Sequence, residues 1–217
     1  MSSLAVPSTP LSPPQDGPQL EAGLRQMQVP ADIACRQALL QFMQLLQKWN
    51  AAYNLTAAVD TDTLLHRHVF DSLSLLPHLA GRHVIDVGSG AGLPGIPLAI
   101  ACPDREFLLL DANAKKTRFI QQCIIEIGLQ NASVHRQRVE EYVPPQGFDT
   151  VVSRALAPAD TLLAWVDPLL DRGRVLLMLG QGGLPELPGG YRLQGVYPAG
   201  VPGAGTGRQI AVLEKGS

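Results

Sequence analysis

Apolar residues in the first quarter of the chain recur at helical spacing. From Ala31 onward Cys35, Leu39, Phe42, Leu46, Trp49 and Tyr53 follow at alternating steps of four and three, which lays them on one face of a helix. A second helical stretch is predicted from Thr61 through Leu64, Leu65, Phe70, Leu73 and Leu76, with Thr61 as its N-cap and Pro77 as its limit. Beyond Gly81 the pattern changes to short apolar runs that alternate with amphipathic ones. Strands are predicted at 83–87, 107–110, 133–136, 148–153 and 174–179, and helices at 93–102, 114–127 (closed by Gly128) and 160–170. Strands apolar on both faces and separated by helices mean an α/β fold with a doubly wound, mainly parallel sheet. After Gly180 the chain is rich in Gly and Pro, and 191–196 with 209–213 predict a terminal hairpin added to one sheet edge.

Composition divides the chain further. Residues 1–18 hold five prolines and four serines with almost no charge, too little apolar surface to order a segment, so they read as a tail. Residues 19–80 then form an N-terminal helical extension packed on a main domain of 81–217. The 217 residues, 46% hydrophobic and 17% charged, suffice for one sizeable core and exclude two large domains. A net charge of -2 gives no global basic field, although thirteen arginines against four lysines favour groups able to grip a phosphate or stack on a base. Cys35, Cys102 and Cys123 are odd in number and widely spaced, which speaks against a disulfide framework and against a metal site. The start of the chain lacks a basic n-region and an apolar h-region, and nowhere do 18 apolar residues run together. The reading is a soluble, cytoplasmic protein.

Ligands of such sheets bind at the carboxyl ends of the strands, so chemistry is expected at the first strand-to-helix turn, Asp86-Val87-Gly88-Ser89-Gly90-Ala91-Gly92-Leu93-Pro94-Gly95. The dinucleotide fingerprint G-x-G-x-x-G matches at Gly90, Gly92 and Gly95, but two residues too late for a strand that ends near Val87. What remains, an acidic residue followed by alternating glycines at Gly88, Gly90 and Gly92, resembles motif I of the S-adenosylmethionine-dependent methyltransferases with the Rossmann-like class I fold. Asp111 closes the second strand 23 positions after Gly88, where a carboxylate can accept both ribose hydroxyls of an adenosyl cofactor. That spacing suits NAD equally.

The longer run Ile85 to Pro97, together with Asn54-Leu55-Thr56 and Arg67-His68-Val69-Phe70-Asp71-Ser72, resembles the glucose-inhibited division protein B family, the small-subunit ribosomal RNA guanine-N7 methyltransferases. Leu110-Asp111, Arg138-Val139-Glu140-Glu141 and Ser153-Arg154-Ala155 extend the likeness over about 49–182. The resemblance implies S-adenosyl-L-methionine as cofactor, with Gly88, Leu93, Val139, Glu140 and Arg154 in its pocket. Asp86, Gly90, Gly92 and Asp111 join them through the loop and its spacing. It also implies small-subunit (16S) ribosomal RNA or the small ribosomal subunit as partner, and the chain is expected to be a monomer that does not engage a membrane. Arg67 and His68 fall near the substrate mouth, where Arg67 could instead pair with Asp71 four residues on. Lys115, Lys116, Arg118, Arg136 and Arg138 are candidates for a basic rim. Where the family tends to carry Lys-Gly-Gln, this chain has Leu179-Gly180-Gln181.

Guanine N7 already presents a lone pair, so methylation there needs no general base. Consistently, Ser153-Arg154-Ala155-Leu156-Ala157-Pro158 follows the fourth strand in place of the Asn/Asp-Pro-Pro-aromatic motif of exocyclic-amine methyltransferases. Arg154 is expected to position substrate or cofactor, with an ion pair to Asp71 or Glu140 as its plainer role. Methylation of a small molecule or protein, and a noncatalytic adenosyl- or NAD-binding module, are the competing functional classes.

Overall fold

Seven strands pair in the order β3-β2-β1-β4-β5-β7-β6, where β1 is His83–Val87, β2 Glu106–Leu110, β3 Ala132–His135, β4 Thr150–Arg154, β5 Arg174–Leu179, β6 Tyr191–Pro198 and β7 Gln209–Lys215. The computed structural model describes residues 17–29, 31–57, 60–154, 157–180, 187, 189–203 and 208–216. The first five strands are mutually parallel, and β7 returns antiparallel between β5 and β6. The predicted hairpin therefore sits at the sheet edge with its second strand innermost.

Alternation along the strands sorts the core into two layers. Val84, Phe107, Leu109, Val152, Leu176, Ile210 and Val212 face one side, while Ile85, Leu110, Val151, Val175, Leu177, Ala211 and Leu213 face the other. The second side is covered by α7 (Ala159–Val166). The first side is covered by α5 (Gly95–Ala101), α6 (Ala114–Ile127) and every N-terminal helix: α1 (Gly17–Gln26), α2 (Ile33–Tyr53), α3 (Thr61–Leu64) and α4 (Asp71–Leu73). One continuous core thus joins the N-terminal helices to the sheet, with Phe119 of α6 packed on Phe42 and Trp49 of α2 at ring distances of 6.4 and 5.6 Å.

Local chemistry accounts for most boundaries. Asp32 caps α2 by accepting from the Cys35 amide at 2.7 Å, and Asn54 ends it in the left-handed region that Asn tolerates, at φ 50°. Gly128 closes α6 as the pattern predicts, and Asn113 caps its start by accepting from the Lys115 and Lys116 amides. The second helix is capped by Asp60 rather than Thr61: its carboxylate accepts from the Thr63 amide at 2.7 Å. Nor does that helix stay regular, since Leu65–Phe70 forms a π-turn between α3 and α4. The predicted helix 93–102 starts only at Gly95, because the preceding residues belong to the glycine turn. The predicted helix 160–170 gives way to a 3-10 turn at Asp167–Leu169, where Pro168 has no amide to donate.

Helix α1 falls in the stretch 19–80 expected to be helical but begins at Gly17, two residues inside the segment that composition reads as a tail. It is held by Leu20 and Leu24, both buried, and by Gly23, where a Cβ would lie 2.0 Å from Cζ of the fully buried Phe70. The other residues of the tail, 1–16, lie outside the described residues. Gly23→Ala is expected to lower stability by about 1–3 kcal/mol through displacement of that ring. A urea midpoint equal to that of the parent protein would show that α1 is not seated by this contact.

Candidate active site

Strand order reverses between β1 and β4, so the loops after these strands open a crevice at the carboxyl edge of the sheet. The loop after β1 turns through positive φ at Gly88, Gly90 and Gly92, and the amides of Gly88 and Ser89 donate to the Leu110 carbonyl at 2.8 and 3.1 Å. Beneath it lies Asp86, wholly buried, whose Oδ2 accepts from the Gly95 amide at 2.8 Å. Gly95 is small for a packing reason: a Cβ would meet Asp86 Oδ2 and Leu109 Cδ2, each at 2.7 Å. The Gly90-Gly92-Gly95 fingerprint therefore ends against a carboxylate, the wrong sign for a dinucleotide pyrophosphate. Asp86 supports the loop from below and has no exposed surface to offer a ligand. Leu93 is likewise turned inward, and Gly92 abuts Ile96.

Burial pushes the Asp86 carboxyl up to about 7, with nearby Asp111 adding to the rise against the pull of the Gly95 amide and Arg154. Burial, and after it the charge of Arg154, lowers His68 to about 4. The two act oppositely on stability. Folded Asp86 holds its proton more tightly than the unfolded chain does, so its contribution is full below about pH 4 and is lost as pH rises through about 7. Folded His68 binds its proton more weakly, so its contribution is present above about pH 6.5 and lost as pH falls towards 4. Asp86→Asn keeps an acceptor for Gly95 and removes the first effect. Its stability relative to the parent should therefore rise between pH 4 and 7, on the order of 3 kcal/mol. A difference between the two proteins that stays constant over this range, measured by urea unfolding, would contradict the assignment.

Two clefts flank the loop. The first, about 230 Å³, is walled by Val87, Gly88, Leu110, Asp111, Val139, Glu140 and Trp165, with Lys116 and Arg138 also on its lining. Asp111 accepts from the Gly90 amide through Oδ2 and from the Asn113 amide through Oδ1, both at 2.8 Å, and each oxygen keeps a second lone pair. Gly90 thus serves the cleft through its amide rather than its surface. An apolar slot formed by Val139, Leu110 and the Trp165 indole beside a fixed carboxylate suits an adenosyl group, base in the slot and ribose on Asp111. Of the expected cofactor residues, Gly88, Asp111, Val139 and Glu140 come together here. Trp165 escaped sequence reasoning because its helical position signalled only an amphipathic face.

The second cleft, about 150 Å³, lies at the ends of β4 and β5 and is lined by Asp71, Arg154, Met178, Leu179, Gly180, Ala199, Arg208 and Gln209. The π-turn leads into Asp71, which lines the cleft, and sets His68 against Arg154. Arg154 donates to the Arg67 carbonyl and towards His68 Nδ1, both at 3.2 Å, and stands 3.9 Å from Asp71. His68 Nδ1 also lies 2.8 Å from the Arg67 carbonyl, so a neutral ring either donates to that oxygen or accepts from Arg154. Its Nε2 meets Thr56 Oγ1 at 3.0 Å, and the Thr56 amide donates to Asn50, which gives Asn54-Leu55-Thr56 a supporting role beneath this cleft. Asp71 pairs with Arg208 as well as Arg154, not with Arg67, whose side chain is exposed. Leu179 supplies an apolar wall, while Ala155, Leu156, Gln181 and Gly207 lie outside the described residues. Lys115, Arg118 and Arg136 are exposed and line neither cleft.

The GidB family model, rRNA small subunit methyltransferase G, matches residues 35–193. The chain belongs to this family. Members named ribosomal RNA small subunit methyltransferase G are 42% identical over 94% of this chain and 98% of theirs in Marinobacter nauticus, and 45% identical over 89% and 92% in Nitrosococcus oceani. The fold is similar to that of a SAM dependent methyltransferase from Aquifex aeolicus, at TM-score 0.56 and 14% identity over 72% of this chain and 94% of that one. It is also similar to the glycopeptide N-methyltransferase MtfA complexed with S-adenosylmethionine, at TM-score 0.57 and 15% identity over 69% and 94%. Both clefts of this GidB family member are lined mainly by residues within the matched span, and Ala199, Arg208 and Gln209 of the second lie beyond it. No helix among the described residues is long and apolar enough to cross a membrane.

Proposed function

We propose that the protein methylates guanine N7 of small-subunit (16S) ribosomal RNA, using S-adenosyl-L-methionine held in the first cleft. The observation that supports this most is the convergence of Gly88, Asp111, Val139 and Glu140 on one cleft in a chain of this family. Bound there, S-adenosyl-L-methionine supplies a methyl group on a sulfonium, a good leaving group for in-line displacement. Asp111 would hold the ribose, Val139 and Trp165 would enclose the adenine, and Glu140 would face its edge. Asp86 sets the loop through Gly95. Arg154, at the end of β4 beside the loop, would orient the incoming nucleotide or the methionine carboxylate, and its donation to guanine N7 itself would block attack.

No side chain has to remove a proton, because N7 attacks through an existing lone pair. Catalysis then rests on alignment, an effect of roughly 7 to 11 kcal/mol in favourable systems. His68, buried and neutral, serves as a positioning residue for Arg154, and Arg67 offers its exposed side chain at the substrate mouth. The helices of 19–80 act as part of the enzyme rather than as a separate module, since His68 and Asp71 come from them. The protein acts as a monomer in the cytoplasm, where ribosomal subunits assemble. Incubation of the protein with labelled cofactor and either 16S RNA or small subunits should place label on a guanine, released as 7-methylguanine. Absence of transfer to both substrates, from folded protein that binds S-adenosylhomocysteine, would refute the proposal.

A further inference from the structure

Cations that an adenosyl cofactor does not call for gather on one side of the first cleft. Lys115, Lys116 and Arg118 stand on the first turns of α6, and Arg136 and Arg138 on the chain that leaves β3. The two sets are neighbours, because β2 and β3 pair with Leu110 against His135 and the Asp111 amide donates to the His135 carbonyl at 3.3 Å. Lys116 and Arg138, one from each set, reach the lining of the cleft. Lys116 Nζ comes over the glycine turn, 3.9 Å from where a Cβ on Gly90 would lie.

These charges are poorly balanced by the fold itself. A cation at the start of a helix opposes the helix's own field, and α6 has no acid in its first turn to offset Lys115 and Lys116. Among the described residues Lys115, Lys116, Arg118 and Arg136 form no ion pair, and Arg138 has Glu140 at 4.0 Å. Of the acids on the same segments, Asp111 accepts from two backbone amides, Glu126 stands at the far end of α6 and Glu141 is exposed. The sulfonium of the cofactor is itself a cation, and adenosine offers this side no anion.

A ring pair lies beside the cations. His135, exposed at the end of β3, leans on half-buried Tyr142 at a ring distance of 5.5 Å. Gln137 holds it there, accepting from His135 Nε2 at 3.1 Å while donating to the Glu141 carbonyl at 2.9 Å. Tyr142 packs on the core, so the imidazole is supported from behind and keeps a face for a planar ligand. Unpaired cations around a supported ring match single-stranded RNA, whose phosphates need charge and whose unstacked bases need a ring to lie on.

We propose that this surface, from α6 across the end of β3, seats the single-stranded RNA beside the target guanine, with Lys115, Arg118 and Arg136 on phosphates and His135 against a base. The identity of the strand rests on the RNA reading above. The surface adds its direction of approach: over β2 and β3, on the side of the glycine turn away from β4.

Direct binding of 16S RNA to the full chain across a salt series tests it. Lys115→Gln combined with Arg136→Gln should weaken binding about tenfold and lower the slope of log K against log salt by roughly 0.7–0.9 for each cation removed. His135→Ala should weaken binding at least about fivefold with the slope unchanged, since a stacked base releases no counterion. S-adenosylhomocysteine affinity should stay within twofold in both proteins, because Lys115, His135 and Arg136 line neither cleft. Arg82→Gln combined with Arg192→Gln, the same loss of charge at the amino end of the parallel strands, should change neither affinity nor slope. An unchanged slope in the Lys115 and Arg136 variant would overturn the proposal. So would an equal fall in the control, since net charge alone would then govern binding, and so would parent-like affinity in His135→Ala or a parent protein that binds no RNA. Methyl transfer to 16S RNA that persists alongside such a result leaves the functional reading standing without this surface, whereas the predicted binding without methyl transfer removes that reading and keeps the surface.

Discussion

Asp111→Ala is expected to weaken S-adenosylhomocysteine binding about a hundredfold. Two hydrogen bonds from ribose hydroxyls to a charged carboxylate, at about 1.5 kcal/mol each, account for a change of that size. The substitution also leaves the amides of Gly90 and Asn113 without the acceptors they now have at 2.8 Å, so the loop over the cleft loses its anchor to the end of β2. Asp111→Asn separates the two effects. It retains one acceptor oxygen but turns an amino group towards a backbone donor, and an intermediate loss of at least about tenfold is expected. Calorimetric titration with S-adenosylhomocysteine reads both variants. An affinity for Asp111→Ala within threefold of the parent, in folded protein, would remove Asp111 from the cofactor site and with it the adenosyl reading of the first cleft.

Gly95→Ala should be the most damaging single methyl group in the sheet domain. The new carbon would lie 2.7 Å from Asp86 Oδ2 and from Leu109 Cδ2, and both residues are fully buried, so neither can swing aside. Backing α5 away to make room would break the bond from the Gly95 amide and leave the Asp86 carboxylate with neither oxygen paired. Overpacking and an unsatisfied buried acid together cost about 3 kcal/mol or more, roughly 6–12 °C in melting temperature for a chain of this size. Pairing the change with Asp86→Ala removes one of the two clashes and should recover part of the loss. A melting temperature within 2 °C of the parent together with abolished cofactor binding would mean that Gly95 touches the ligand, contrary to its packing here.

Much of this architecture could be read from local signals. The strands at His83–Val87 and Arg174–Leu179 and the helix Ala114–Ile127 occur where side-chain alternation, helical spacing and the closing Gly128 put them. Gly88 and Asp111 were legible for a related reason: a turn glycine and an acid at the next strand end are fixed by the geometry of a single β-α-β unit, within two dozen residues. Fourth-strand boundaries were less legible. Phe148 and Asp149 look like strand residues, yet the Asp149 carboxylate accepts from the amides of Arg82 and His83 at 2.7 and 2.8 Å, and that contact holds them in a loop.

Periodicity, turn chemistry and the family motifs were thus determined by the sequence itself, because each depends on residues near one another along the chain. Tertiary structure alone decided what the charged groups do. Asp86 belongs to the motif but works from inside the core, since the helix that follows the loop comes down on it. Asp71 could have paired with Arg67 one helical turn away, but the π-turn directs its carboxylate to Arg154 and to Arg208, 137 residues later. Such pairings are set by which strand ends the fold brings together, and no spacing along the chain encodes them.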